Sequence, residues 1–133
     1  MKTIKMSLQF VLFLFLFIAG VSYSQVLYFC ESVDENGEPI NDANYFTITQ
    51  EGGYLDFLVR MDSRVGVYSV YYKVYKVRNG KEVYDNTIWQ DVEPDWTWFW
   101  KEINFYEDGT YDVYVYDEWD NFIASSTIEI EFR

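Results

Sequence analysis

From residue 26 onward the chain is cut by turn signals into short runs dense in Val, Ile, Tyr, Phe, Trp and Thr, and most of the runs alternate apolar with polar side chains. A period of two places alternate side chains on opposite faces of a pleated strand, and β-branched and aromatic residues suit that half-buried surface. In YLDFLVRM, Leu55, Phe57, Val59 and Met61 alternate with Asp56, Leu58 and Arg60, and only Leu58 breaks the pattern. GVYSVYYKVYKV ends at Asn79-Gly80 and KEVYDNTI resumes at once, the signature of a two-residue type I′ hairpin, whose central residues both need positive φ. Further runs lie over WTWFWKEINFY, TYDVYVYD and FIASSTIEIEF, separated by Glu107-Asp108-Gly109 and EWDN. In the last of these, Phe122, Ala124, Ser126, Ile128, Ile130 and Phe132 share one parity, and the inner face is unambiguous beyond residue 127. Six strands follow Gly53, and runs 26–31 and 44–49 add to them. The expectation is an all-β, antiparallel two-sheet sandwich of about seven to eight strands, without helices.

The first 24 residues are of another kind. Lys2 and Lys5 precede an apolar block from Phe10 to Ala19, and small residues Ser22 and Ser24 follow. This is the plan of a cleaved secretory signal, and the block is short of the ~20 apolar residues of a membrane span. The expected organisation is a signal peptide over 1–24 and one domain over 25–133, secreted or periplasmic and of bacterial type, with the membrane involved only in export. Cys30, preceded by Leu27-Tyr28-Phe29, does not sit in a lipobox and reads either as a small buried apolar residue near the first strand or as an unpaired thiol that bridges to another molecule.

Charge and composition exclude more than they assign. There are 22 acidic and 10 basic residues, no His and one Cys, and the net charge of −12 deepens by two when Lys2 and Lys5 are removed. Such a surface repels nucleic acid and anionic lipid. A Ser-His-Asp triad, a Cys-His pair, an internal disulfide and a Cys/His zinc site have no residues from which to form. Aromatic residues make up 22% of the chain, far more than a disordered acidic segment carries, so the charge decorates something that folds. No cofactor and no catalytic residue is expected, and the oligomeric state is left open.

The segment Asp108-Gly109-Thr110-Tyr111-Asp112-Val113 resembles the entry to the sixth strand of immunoglobulin-like and fibronectin-III-like sandwiches. That resemblance covers about residues 53–132. It implies a structural corner built by Asp108, Gly109 and Tyr111, with the Tyr111 hydroxyl bonded to backbone upstream. No Cys stands at Val59 or Val113, and Tyr72 stands where antibody domains place a core Trp, so the implied module is free of disulfides. Sandwiches of this kind serve many functions, and the fold alone assigns none.

Three constellations are candidates for function. If Phe99, Ile103 and Phe105 face the core, then Trp96, Trp98 and Trp100 project together from the other face, as a platform for a protein partner or for the apolar side of sugar rings. The competing readings are a pleat reversed by a bulge, or an outer face covered by the N-terminal segment or by the segment SVDENGEPINDA, which would make the tryptophans a second small core. On the strands around Tyr72 and Val113, the residues Tyr71, Lys73, Tyr75, Tyr114 and Tyr116 fall outward on neighbouring strands, either as cross-strand staples or as a recognition face. Acidic turns supply Asp91, Asp95, Asp117 and Asp120 as weak calcium candidates, although Asp, Asn and Gly also belong in turns for their own sake. The function expected is a non-catalytic binding or structural module that meets a protein partner or envelope surface through an aromatic sheet face. The alternative is a carbohydrate-binding module using the tryptophan stripe.

Overall fold

The computed structural model describes residues 25–133, so the signal-peptide reading of residues 1–24 lies outside the described residues. Ten strands follow in chain order: β1 (Val26–Cys30), β2 (Ser32–Val33), β3 (Pro39–Ile40), β4 (Tyr45–Ile48), β5 (Gly53–Arg60), β6 (Ser69–Arg78), β7 (Lys81–Asp91), β8 (Trp98–Phe105), β9 (Gly109–Asp117) and β10 (Phe122–Phe132). They form a three-stranded sheet in the order β1-β5-β8, a five-stranded sheet in the order β4-β10-β9-β6-β7, and the small hairpin β2-β3. No helix is found among the described residues, and the eight longer strands make the two layers of a sandwich. One pair departs from the antiparallel rule: β4 runs parallel to β10, with Tyr45 opposite Glu129 and Ile48 opposite Phe132.

The alternation in the sequence places the core. Leu27 and Phe29 of β1, Leu55, Phe57 and Val59 of β5, and Phe99, Ile103 and Phe105 of β8 face Val70, Tyr72 and Val74 of β6 and Tyr111, Val113 and Val115 of β9, with Ile128 and Ile130 of β10 beside them. Phe57 sits at the centre, edge-on to Phe29 (ring centroids 4.9 Å apart) and to Tyr72 (5.9 Å). Burial of each such ring stabilises the fold by roughly 1.5–3 kcal/mol. Lys101 shares the inward parity of β8 but stands half-buried on an edge strand, where a long stem can cover apolar surface with its charged end in water. The open side between the edge strands β7 and β8 is tied by one side chain. The buried Tyr72 hydroxyl donates to Gln90 Oε1 (2.6 Å), and Gln90 Nε2 donates to the Trp100 carbonyl (2.7 Å).

The Asn79-Gly80 turn has the form its sequence demands. Arg78 pairs with Lys81, and Asn79 and Gly80 take φ of 52° and 76°. Two irregularities shape the outer face of the larger sheet. Asp85 is an extra residue in β7, because Val74 pairs with Asn86 but Tyr75 pairs with Tyr84. Ile123 is an extra residue in β10, because Phe122 pairs with Tyr116 but Ala124 pairs with Val115. A bulge of this kind reverses the parity of every residue on its far side.

Candidate functional site

The outer face of the five-stranded sheet carries the largest array of uncovered aromatic side chains. Tyr71 of β6 lies opposite Tyr116 of β9 on one side and Trp89 of β7 on the other, and Tyr116 lies opposite Phe122 of β10. The rings meet: Trp89 and Tyr71 at 4.7 Å, Tyr71 and Tyr116 stacked at 5.3 Å, Tyr116 and Phe122 edge-on at 6.0 Å. A second group runs from Tyr84 to Tyr75 (6.1 Å) to Tyr114 (5.6 Å). The ends of the array stay open to solvent, with Trp89 55%, Tyr84 56% and Phe122 58% exposed.

Both bulges serve this face. By strict alternation Tyr84 shares the parity of Ile88 and Phe122 that of Ile128, so both are expected inside. The extra residue Asp85 turns Tyr84 outward beside Tyr75, and the extra residue Ile123 turns Phe122 outward beside Tyr116. Reasoning from sequence missed Trp89, Tyr84 and Phe122 as members of the face. The signal available was the odd spacing of five between Tyr84 and Trp89.

Carboxylates are woven through the rings. The Tyr71 hydroxyl donates to Asp120 Oδ1 (2.7 Å), Tyr114 donates to Glu82, and the Thr127 hydroxyl donates to Asp112 Oδ1 (2.6 Å). These bonds, followed by desolvation and the nearby negative charge, push the Tyr71 and Tyr114 hydroxyls up to about 12, so both remain donors at neutral pH. Lys73, opposite Tyr114 and Thr87, stands among them as a cation.

The three tryptophans lie elsewhere, on the other layer. Trp98 and Trp100 of β8 pair with Arg60 and Leu58 of β5, and Trp96 stands in the turn before β8. All three line a groove of about 480 Å³ with Gln90, Asp95 and Thr97. Trp96 and Trp100 are exposed, but Trp98 is not the open centre of a platform. Its indole lies against Gly37 at the tip of the β2–β3 hairpin, so closely that a Cβ at Gly37 would collide with the ring. The same tip is held by Arg60, which donates to the Gly37 carbonyl and pairs with Glu38 at 3.5 Å. The tryptophan stripe and the tyrosine face thus belong to different layers, Trp98 and Trp100 to the three-stranded sheet and Tyr71, Tyr75, Tyr114 and Tyr116 to the five-stranded one.

Beneath the hairpin lies a small second core. Leu58 and Cys30, both fully buried, and Asp56, 6% exposed, all sit on the outward parity of the three-stranded sheet. This accounts for the break in alternation at Leu58. The Cys30 thiol donates weakly to the Asp56 carbonyl at 3.6 Å, and burial, reinforced by the Asp56 charge, pushes it up to about 11. It is a free but inert thiol. Asp56 Oδ1 is buried with no hydrogen-bond partner, and desolvation, then the charge of Glu102, raises its pKa above the ordinary value.

The remaining candidates are turn and corner residues. The Tyr111 hydroxyl donates to the Glu107 carbonyl (2.7 Å) while its ring packs on Phe105, and burial pushes the phenol up to about 12. Gly109 has φ of 142°, and a Cβ there would stand 2.7 Å from Lys76 Cε. Asp108 lies in the exposed turn just before it. Asp117 Oδ1 accepts from the Trp119 and Asn121 amides, as Asp34 Oδ1 accepts from those of Asn36 and Glu38, so two of the acidic clusters are self-bonded turns. Asp120 is bonded to Tyr71, Asp91 ends β7 opposite Ser69, and Asp95 borders the tryptophan groove. Among the described residues no group of three or more His, Cys, Asp or Glu is placed to hold a metal ion, and the structure does not bring the four calcium candidates together.

No protein-family model matches the chain, and no curated protein matches it in sequence. Among solved structures it is similar to "Superoxide reductase (Neelaredoxin) from Ignicoccus hospitalis", with a TM-score of 0.40 and 9% identity over 80% of this chain and 83% of that one. A likeness of that degree carries no statement about activity, and what stands is an all-β sandwich bearing two separate aromatic surfaces.

Proposed function

We propose that this chain is a secreted or periplasmic, non-catalytic binding module that associates with a protein partner or envelope surface through the outer face of its five-stranded sheet. The observation that carries the reading is the uncovered row Trp89–Tyr71–Tyr116–Phe122, one ring from each of four strands. Contiguous apolar surface rimmed by polar groups marks an interaction site, and rings held by packing and hydroxyl bonds lose little freedom on binding. An immunoglobulin-like fold is supported by the β1-β5-β8 layer and the Tyr111–Glu107 corner bond. Absence of catalysis is supported by the lack of His in the sequence and by the buried, protonated Cys30. The test is a photo-crosslinking side chain at position 84 or 89 in the cells that make the protein. A discrete protein adduct is expected at both positions, and none at either would end the reading.

A second reading rests on the groove between Trp96 and Trp100, whose exposed indoles and neighbouring Gln90 and Asp95 suit a saccharide ring. It predicts that soluble glycans quench tryptophan fluorescence and that Trp100→Ala abolishes the quench without unfolding the protein.

A further inference from the structure

The chemistry of the five-stranded face selects among partners, an inference that rests on the reading of that face as the binding surface. Its outward rows are Trp89–Tyr71–Tyr116–Phe122, then Thr87–Lys73–Tyr114, then Tyr84–Tyr75–Asp112. Three carboxylates, Glu82, Asp112 and Asp120, are held on it by hydroxyls of Tyr114, Thr127 and Tyr71, against the one cation Lys73. Each hydroxyl occupies one lone pair of an acid that has several, so the acids are oriented without being neutralised. The rings form an apolar floor, and β7 is the edge strand, so the sheet offers no further ring beyond Trp89.

We propose that the occupant of this face is a cationic, arginine-bearing segment of another protein. The stem of an arginine is apolar and matches the ring rows, its planar guanidinium stacks on indole and phenol faces, and its fork of donors fits a carboxylate. The net charge of −12 extends the complementarity beyond the face and speeds the encounter. An acidic peptide meets repulsion here. A lipid surface of bacterial type, being anionic, meets the same.

The test is fluorescence anisotropy of a labelled oligo-arginine peptide with the purified protein, using oligo-glutamate as the reverse-charge probe. Trp89→Ala, which leaves the charge unchanged, and the pair Glu82→Gln/Asp112→Asn are each expected to weaken binding by about fivefold or more. The pair Glu35→Gln/Glu51→Gln removes the same charge from exposed turns off this face and is expected to leave binding within about twofold. Equal losses from the two charge pairs would overturn the proposal, since net charge alone would then be the attractant, as would binding of oligo-glutamate. The cross-link at position 84 separates this inference from the reading beneath it. An adduct displaced by oligo-arginine but not by oligo-glutamate supports both. An adduct that oligo-arginine leaves untouched, or one formed with glycan or with a second copy of this chain, overturns the cationic partner while the surface itself stands. No adduct removes both.

Discussion

The two layers of this sandwich treat their outward faces in opposite ways. On the three-stranded sheet the outward residues Leu58, Cys30 and Asp56 are roofed by the β2–β3 hairpin, whose tip is pinned by Arg60 and seated on Trp98. On the five-stranded sheet Trp89, Tyr84 and Phe122 stand in solvent with nothing over them. Both faces carry large apolar side chains, so hydrophobicity alone does not distinguish them. The difference is a short hairpin that the chain lays over one face and not the other. Where the roof exists, aromatic and aliphatic groups become a second core, and where it does not, the same kind of residue forms a surface that an external partner can cover.

The comparison is broken most severely at the roofed face. Leu58→Ala is expected to cost about 3 kcal/mol, as removal of a fully buried leucine does, measured as a lowered urea midpoint with an unchanged slope. A cost near zero would mean that the hairpin encloses no packed core. Gly37→Ala comes next, at about 2 kcal/mol, because Gly37 combines φ of 77° with contact against Trp98. Acrylamide should then quench tryptophan more strongly as the hairpin lifts, and unchanged quenching would show that Trp98 is not held under it. At the bare face Trp89→Ala should cost only about 1 kcal/mol or less, the worth of a cross-strand aromatic pair, while abolishing the adduct at position 84. A loss of several kcal/mol would make the face structural.

The smallest effect is a slope with pH. The folded value of Asp56 lies above its ordinary 3.8, so the folded state holds the proton more tightly than the unfolded chain does. Its contribution to stability is complete below the unfolded value and is lost as pH rises through the folded one. Asp56→Asn, neutral throughout, should therefore gain on the wild type as pH rises above the ordinary carboxylate value of 3.8 in paired urea titrations. A constant difference as pH rises would show that the carboxylate is better solvated than its burial suggests.

Local pattern made much of this legible. The parity of Phe57, Val59, Tyr72, Val113 and Ile128 marked the core, because a strand has no way to put neighbouring side chains on the same side. Asn79-Gly80 announced its hairpin through backbone sterics alone. The tyrosines 71, 75, 114 and 116 could be assigned outward for the same reason as the core. Whether Trp98 was open or covered was not legible, because parity says that a residue leaves the main core but not what lies beyond it.

The amino-acid sequence by itself determined that this chain is built of strands, which face of most strands is apolar, where the turns fall and how acidic the surface is, since each of these depends on a residue and its near neighbours. Only the tertiary structure decided that Asp85 and Ile123 are bulged, so that Tyr84 and Phe122 join the outer rows, and that residues 31–43 fold back as a roof over Leu58. Bulges and roofs are settled by the fit of whole strands and segments against one another, through packing between residues far apart in the chain, and no local period records them.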